Sequence, residues 1–241
     1  MRFQFIICSV MRREAEFCAA RSPNQINIVL LEQGLHNEPG RLRSEVQAAL
    51  DKTTDETGKK YDASLLGYGL CSNGITGLSA EIPIVVPRGH DCITLLLGSK
   101  EKYREYFDSH RGVYWYSSGW IETGAMPGKE KYEKLLAEYE KKYGKDNARY
   151  LMEQEQKWIR EYNWAAYIDW GFPNSKKEKK FTKKCAEYLG WQYDELKSDS
   201  GLMQRLVDGK WNTKEFLVVK PGEKIEAAVD EDGIINCRCG D

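Results

Sequence analysis

Four side chains concentrate the chemical potential of this sequence. Cys8 closes the apolar run RFQFIIC, Cys71 lies inside GYGLCSNGITG, and His90 and Cys92 stand two apart in PRGHDC. Cysteine sulfur and imidazole nitrogen are the ligands that zinc and iron favour, and a neighbouring carboxylate such as Asp91 ligates or orients a ligand. The same types suit nucleophilic catalysis. Cys71 would attack, His90 would take the proton with Asp91 beside it, and the glycine-rich loop would hold an oxyanion. Gly67, Gly69 and Asn73 permit positive φ and a close approach of backbone to a bound group. A helix starting at Ser72 or Asn73 would aim its N-terminus at Cys71, favouring a thiolate or cradling an anion. Arg88 and His36, the latter in GLHNEP, complete the cofactor-binding set. The plainer readings are a tight turn with a buried cysteine, a surface pair of Arg88 with Asp91, and a histidine that serves a turn.

These residues are far apart in the chain, so the fold must gather them. Residues 2–8, 25–31, 61–66, 82–86 and 112–116 are short β-branched or aromatic runs and read as strands. Between them, Met11–Arg21 and Pro39–Leu50 carry helical spacing, as do Cys92–Leu97 and Glu101–Phe107. Strands alternating with helices predict an α/β fold, a mostly parallel sheet with flanking helices in a Rossmann-like three-layer arrangement. Ligands bind beyond the carboxyl ends of such strands. Cys8 ends the first strand, and His36, Cys71, His90 with Cys92, and Ser117, Ser118 and Trp120 each follow one of the other four, so they are expected at one sheet edge.

The texture changes after Gly128. Residues 129–168 are charged and aromatic, and Gly144 before Asp146 predicts two helices. A basic helix over Lys176–Leu189 follows, then a late β segment at Phe216–Val219 and Ile225–Val229. The expected organisation is a single domain, 1–241, with 129–210 as a helix-rich insertion. Cys18 and Cys185 read as packing residues, His110 as surface loop, and Cys237 with Cys239 as a CxC tail.

Composition bounds the function. The chain has 241 residues, 41% of them hydrophobic, and 36 Lys plus Arg against 37 Asp plus Glu give a net charge of −1. That balance predicts no nucleic-acid partner. The Lys-rich helices are mixed with Glu and read as solvated amphipathic faces. No segment reads as a signal peptide or a membrane span, so a cytoplasmic protein is expected, and its seven cysteines are expected as free thiols or ligands. Walker A, GxGxxG, HExxH and GxSxG patterns are absent.

The motifs GLHNEP, GYGLCSNGITGL and PRGHDCITLLLGS together resemble the prokaryotic family called domain of unknown function 1638, from about Cys8 to Trp120 and more loosely through FLVVKPGEKI. Family-like positions are Cys8, His36, Asn37, Tyr68, Cys71, Arg88, His90, Asp91, Cys92 and Ser99. The resemblance implies a setting among methanogens and other anaerobes, beside corrinoid-dependent methyltransferases. The leading expectation is therefore a metalloprotein of anaerobic one-carbon, corrinoid-dependent methyl metabolism. Cys8, Cys71, His90 and Cys92 would hold zinc or an iron–sulfur cluster and act on a small-molecule substrate. The alternatives are a metal-independent cysteine nucleophile and a corrinoid or metal chaperone docking on a corrinoid protein or methyltransferase. The DxHxxG signature of a base-off corrinoid carrier is absent.

Overall fold

The computed structural model describes residues 1–124, 126–228 and 234–238. They form two compact units, Met1–Tyr103 with Asp199–Asp241, and Arg104–Ser198.

The first unit is built on a five-stranded sheet. Its members are β1 (Arg2–Cys8), β2 (Gln25–Leu31), β3 (Ala63–Gly67), β4 (Ile84–Pro87) and β8 (Phe216–Val219), in the order β2-β1-β3-β4-β8. The first four run parallel, and β8 pairs antiparallel with β4. β1 is central, and Phe3, Phe5, Ile6 and Ile7 are fully buried. A strand covered on both faces needs a continuous apolar run, which FQFII supplies. Its one internal polar residue, Gln4, is satisfied: it donates to the Ala49 carbonyl at 3.0 Å and accepts from the Ser64 hydroxyl at 3.0 Å.

The crossovers are α1 (Arg12–Ala19) and α2 (Pro39–Leu50). β2 and β3 lie on opposite sides of β1, so right-handed connections place α1 and α2 on opposite faces of the sheet. The three-layer α/β expectation holds. No helix joins β3 to β4; α3 (Cys92–Leu97) and α4 (Lys100–Ser109) follow β4.

The second unit holds a separate parallel sheet, and this is where the structure departs from the sequence reading. β5 (Val113–Tyr116) does not extend the first sheet. It pairs with β6 (Trp164–Asp169), which pairs with β7 (Gln192–Lys197). Ser117, Ser118 and Trp120 therefore belong to this sheet's strand ends and to α5 (Ser118–Glu122). The expected pair of helices is present as α6 (Lys129–Tyr143) and α7 (Lys145–Glu155), broken at Gly144, and α8 (Ser175–Leu189) is the expected basic helix. WAAYID, which ends the stretch expected to be helix-rich, is instead the strand β6. Tyr167 and Ala165 enter one core cluster and Ala166 another, so β6 is covered on both faces and shows no alternation.

In the first unit, α9 (Gly201–Asp208) precedes β8, and β9 (Lys224–Ala227) pairs antiparallel with β10 (Ile235–Arg238). The two late strands expected to form one segment thus split between two sheets, and the expected extension of the second to Val229 lies outside the described residues. Cys237 faces Ile225 in this ladder, and Cys239 lies outside the described residues. Among the described residues no helix is long and apolar enough to cross a membrane.

Candidate functional site

The order β2-β1-β3 creates a switch point. The chain leaves β1 for a neighbour on one side and later returns to the other, which opens a crevice beyond the carboxyl ends of β1 and β3. Cys8 is the last residue of β1. Tyr68 directly follows β3, and Cys71 lies three residues further. Cys92 opens α3, five residues after β4.

The loop after β3 is pinned to the loop after β4 by backbone. Leu70 N–H donates to the Gly89 carbonyl at 2.8 Å and Cys71 N–H to the His90 carbonyl at 2.9 Å. Gly69 permits this approach, since a Cβ there would lie 2.6 Å from Gly89 O and 2.7 Å from Asp91 N. The chain then does something rare. Cys71, Ser72 and Asn73 have φ of 46°, 56° and 64°, three consecutive left-handed residues with side chains. Each such residue costs roughly 1–2 kcal/mol, and Asn tolerates the region best. The turn is closed by Gly74 N–H on the Cys71 carbonyl at 2.9 Å, and Arg43 holds it by donating to Asn73 O at 3.0 Å and Thr76 Oγ1 at 3.1 Å. No helix begins at Ser72 or Asn73, so the expected helix N-terminus at Cys71 is replaced by this strained turn.

The loop after β4 divides its residues between structure and site. Arg88 Nε donates to the Thr213 carbonyl at 2.9 Å and Nη1 to the Ile235 carbonyl at 2.5 Å, which fixes the start of β10. Asp91 is the N-cap of α3: Oδ1 accepts from Ile93 N–H at 2.9 Å and Oδ2 from the Tyr103 hydroxyl at 3.0 Å. Burial nevertheless pushes its carboxyl above the usual range. His90 is exposed and contributes its carbonyl to the loop pairing. His36, also exposed, sits in a short 3₁₀ turn; partial desolvation lowers its pKa, and the Asp91 charge opposes that.

A family model described as protein of unknown function (DUF1638) matches residues 30–207. The chain belongs to this family. No curated protein and no solved structure matches it. The family stretch contains His36, Tyr68, Cys71, His90 and Cys92 and runs through the second unit, while Cys8 precedes it.

In this DUF1638 chain three of the four expected ligands, Cys8, Cys71 and Cys92, stand at or just past the ends of β1, β3 and β4. Cys8 and Cys71 are each 7% exposed, Cys92 is partly buried, and all three thiols act electrostatically on one another and on Tyr68. Burial raises the Cys8 pKa, pushes Cys71 up to about 12 and Cys92 well above its ordinary value. Backbone donors oppose it: Val10 N–H serves Cys8, the N–H groups of Gly69 and Cys92 serve Cys71, and Cys92 uses its own N–H. The exposed His90 is not brought into this buried group.

Tyr68 is 4% exposed, and among the described residues its hydroxyl has no hydrogen-bond partner; the Thr94 hydroxyl, 1% exposed, also has none. Neither hydroxyl was singled out from the sequence as a group in need of a partner. The available signal was a tyrosine placed directly between a buried strand and a glycine.

The donor set can be tested against each metal. A single zinc with sulfur at about 2.3 Å needs its ligands to converge on one point. Among the described residues no three His, Cys, Asp or Glu side chains are grouped in that way. An iron–sulfur cluster distributes its cysteines over separate irons and takes hydrogen bonds on its sulfurs. Cys8, Cys71 and Cys92, at three strand ends, are the residues that would hold such a cluster.

Proposed function

We propose that this protein binds an iron–sulfur cluster through Cys8, Cys71 and Cys92. The carrying observation is that three thiols, separated by 63 and 21 residues in the chain, stand at or just past the ends of β1, β3 and β4, where the buried Tyr68 hydroxyl has no partner among the described residues. A bound cation would supply the charge compensation that lets these buried thiols ionise. The strained Cys71–Asn73 turn supports the same reading, since backbone strain of this kind persists where function requires a fixed placement. A metal-free nucleophile fits less well, because burial opposes the thiolate that would attack.

Three protein ligands on a cluster would leave a position open for a small-molecule substrate or an exchangeable ligand. His90 and His36 are both exposed, and each interacts electrostatically with Asp91. The setting in anaerobic one-carbon or corrinoid-dependent methyl metabolism, with a corrinoid protein or methyltransferase as partner, rests on the family resemblance.

Protein purified and reconstituted anaerobically with ferrous iron and sulfide should bind both and absorb in the visible. Cys71→Ser, Cys8→Ser and Cys92→Ser should each lose most of that iron while remaining folded. Colourless wild-type protein without bound iron or zinc would sink the proposal, whereas equal iron in wild type and all three variants would move the metal elsewhere.

A further inference from the structure

Folding alone does not account for Tyr68. Its ring packs in the core of the first unit, and a phenylalanine would fill the same space without burying a hydroxyl. A buried donor left unpaired lowers stability, so its presence calls for a partner that arrives after folding. Cys8 lies beside it, one residue past the Ile7–Gly67 pairing of β1 with β3, and Cys71 lies three residues on, its N–H bonded to the His90 carbonyl two residues before Cys92; none of the three sulfurs accepts its proton. A group held by the three thiols would bring the acceptor.

We propose that Tyr68 Oη donates a hydrogen bond to a sulfide of the cluster held by Cys8, Cys71 and Cys92. The inference rests on the cluster reading above and adds to it a requirement on the occupant, which must present an acceptor atom to the crevice. A bare divalent cation offers none. Gly69 is pressed against Gly89 and Asp91, and a Cβ at Gly89 would come within 2.9 Å of Thr94 Oγ1, the second buried hydroxyl without a partner. Both unpaired hydroxyls belong to the first unit, Tyr68 directly after β3 and Thr94 in α3 after β4. A hydrogen bond to cluster sulfur stabilises the more negative, reduced state, so it raises the reduction potential and slows loss of the cluster.

The test compares wild type, Tyr68→Phe and Tyr68→Met after anaerobic reconstitution with ferrous iron and sulfide, and in parallel with zinc alone. Both variants should bind iron and sulfide in wild-type amount. Their midpoint potential should fall, and a chelator should strip their iron about 10-fold faster. Metal-free Tyr68→Phe should melt at or above the wild-type temperature, because it loses only an unpaired hydroxyl. Zinc, if bound, should be released equally by all three proteins. Normal iron and sulfide with an unchanged potential and unchanged release would overturn the role of Tyr68 and leave the cluster standing. A large drop in metal-free melting temperature in both variants would make the hydroxyl a structural group and overturn it as well. Failure of the wild type to take up iron and sulfide would overturn the cluster reading, and this inference with it.

Discussion

In the second unit Ser118 and Tyr167 meet at a carboxylate; in the first, Tyr68 meets three thiols and finds no acceptor. The pair is instructive because both groups sit at or beside the strands of parallel sheets, where α/β proteins place their ligands. Ser118 Oγ donates to Glu178 Oε2 at 2.6 Å and Tyr167 Oη to the same oxygen at 2.7 Å. Asp169 takes the Gly171 N–H, the Ser175 hydroxyl and the Lys179 ammonium, and Lys179 also reaches Glu195 at 2.7 Å. Every one of those groups is answered from within the unit. A closed network of this kind belongs to the fold, whereas the open hydroxyl of Tyr68 is the place where the proposed occupant would bind.

The largest expected effect breaks the closed side of that comparison. Glu178→Leu would leave the Ser118 and Tyr167 hydroxyls buried without their shared acceptor. Two such losses cost about 3 kcal/mol together. Urea unfolding should show this as a lower midpoint for the transition that reports the second unit. If Glu178→Leu instead leaves the midpoint within error, the network is not structural and the contrast fails.

A single chemical change applied to both sides sharpens it. Tyr→Phe removes one hydroxyl at each place. Tyr167→Phe should destabilise by about 1 kcal/mol, because it breaks a satisfied bond to a buried carboxylate. Tyr68→Phe in metal-free protein should be neutral or stabilising by up to about 1 kcal/mol, since no bond is lost. Opposite signs in thermal melts are the outcome that supports the comparison, and equal destabilisation would dissolve it.

The legible part of the site was its location. Cys8, Cys71 and Cys92 each follow an apolar run, and a parallel α/β fold gathers such positions without any contact having to be foreseen. The illegible part was orientation. The carbonyls of Gly89 and His90 are used to pair with the loop at Leu70 and Cys71, which leaves the His90 ring outside; residue type carries no trace of that pairing. Asp91 does carry a signal, an acidic residue just before the apolar run CITLLL, and it caps that helix. The left-handed turn had a sequence hint only at Asn73, since neither cysteine nor serine favours that region. In the fold, β1, β2 and α2 were readable to the residue because each carries its own apolar run or helical spacing. β6 was hidden because a strand covered on both faces lacks a period of two, and its neighbours on the N-terminal side are charged helical text.

The smallest effect probes the rim of the closed network through pH. Burial works against Asp169, but Lys179, the Gly171 N–H and the Ser175 hydroxyl hold its carboxyl below the ordinary 3.8. Glu195 is held below the ordinary 4.5, chiefly by Lys179 and then by the Tyr193 hydroxyl. A depressed carboxyl contributes stability that is present above its unfolded pKa and is lost as pH falls through the folded value. The contribution should therefore be full at pH 7 and fade below about pH 4.5, where protons bind the unfolded chain first. Lys179→Ala removes the shared cation. Because Glu195 is half exposed, solvent screens the pairs and the expected cost is about 0.5 kcal/mol at pH 7. That difference from wild type should shrink towards zero near pH 2, measured as paired melts across the acid range. A difference that grows as pH falls would assign the stabilisation to something other than these two ion pairs. The same titration in Tyr68→Phe should run parallel to wild type, because the hydroxyl at the thiols takes no part in that network.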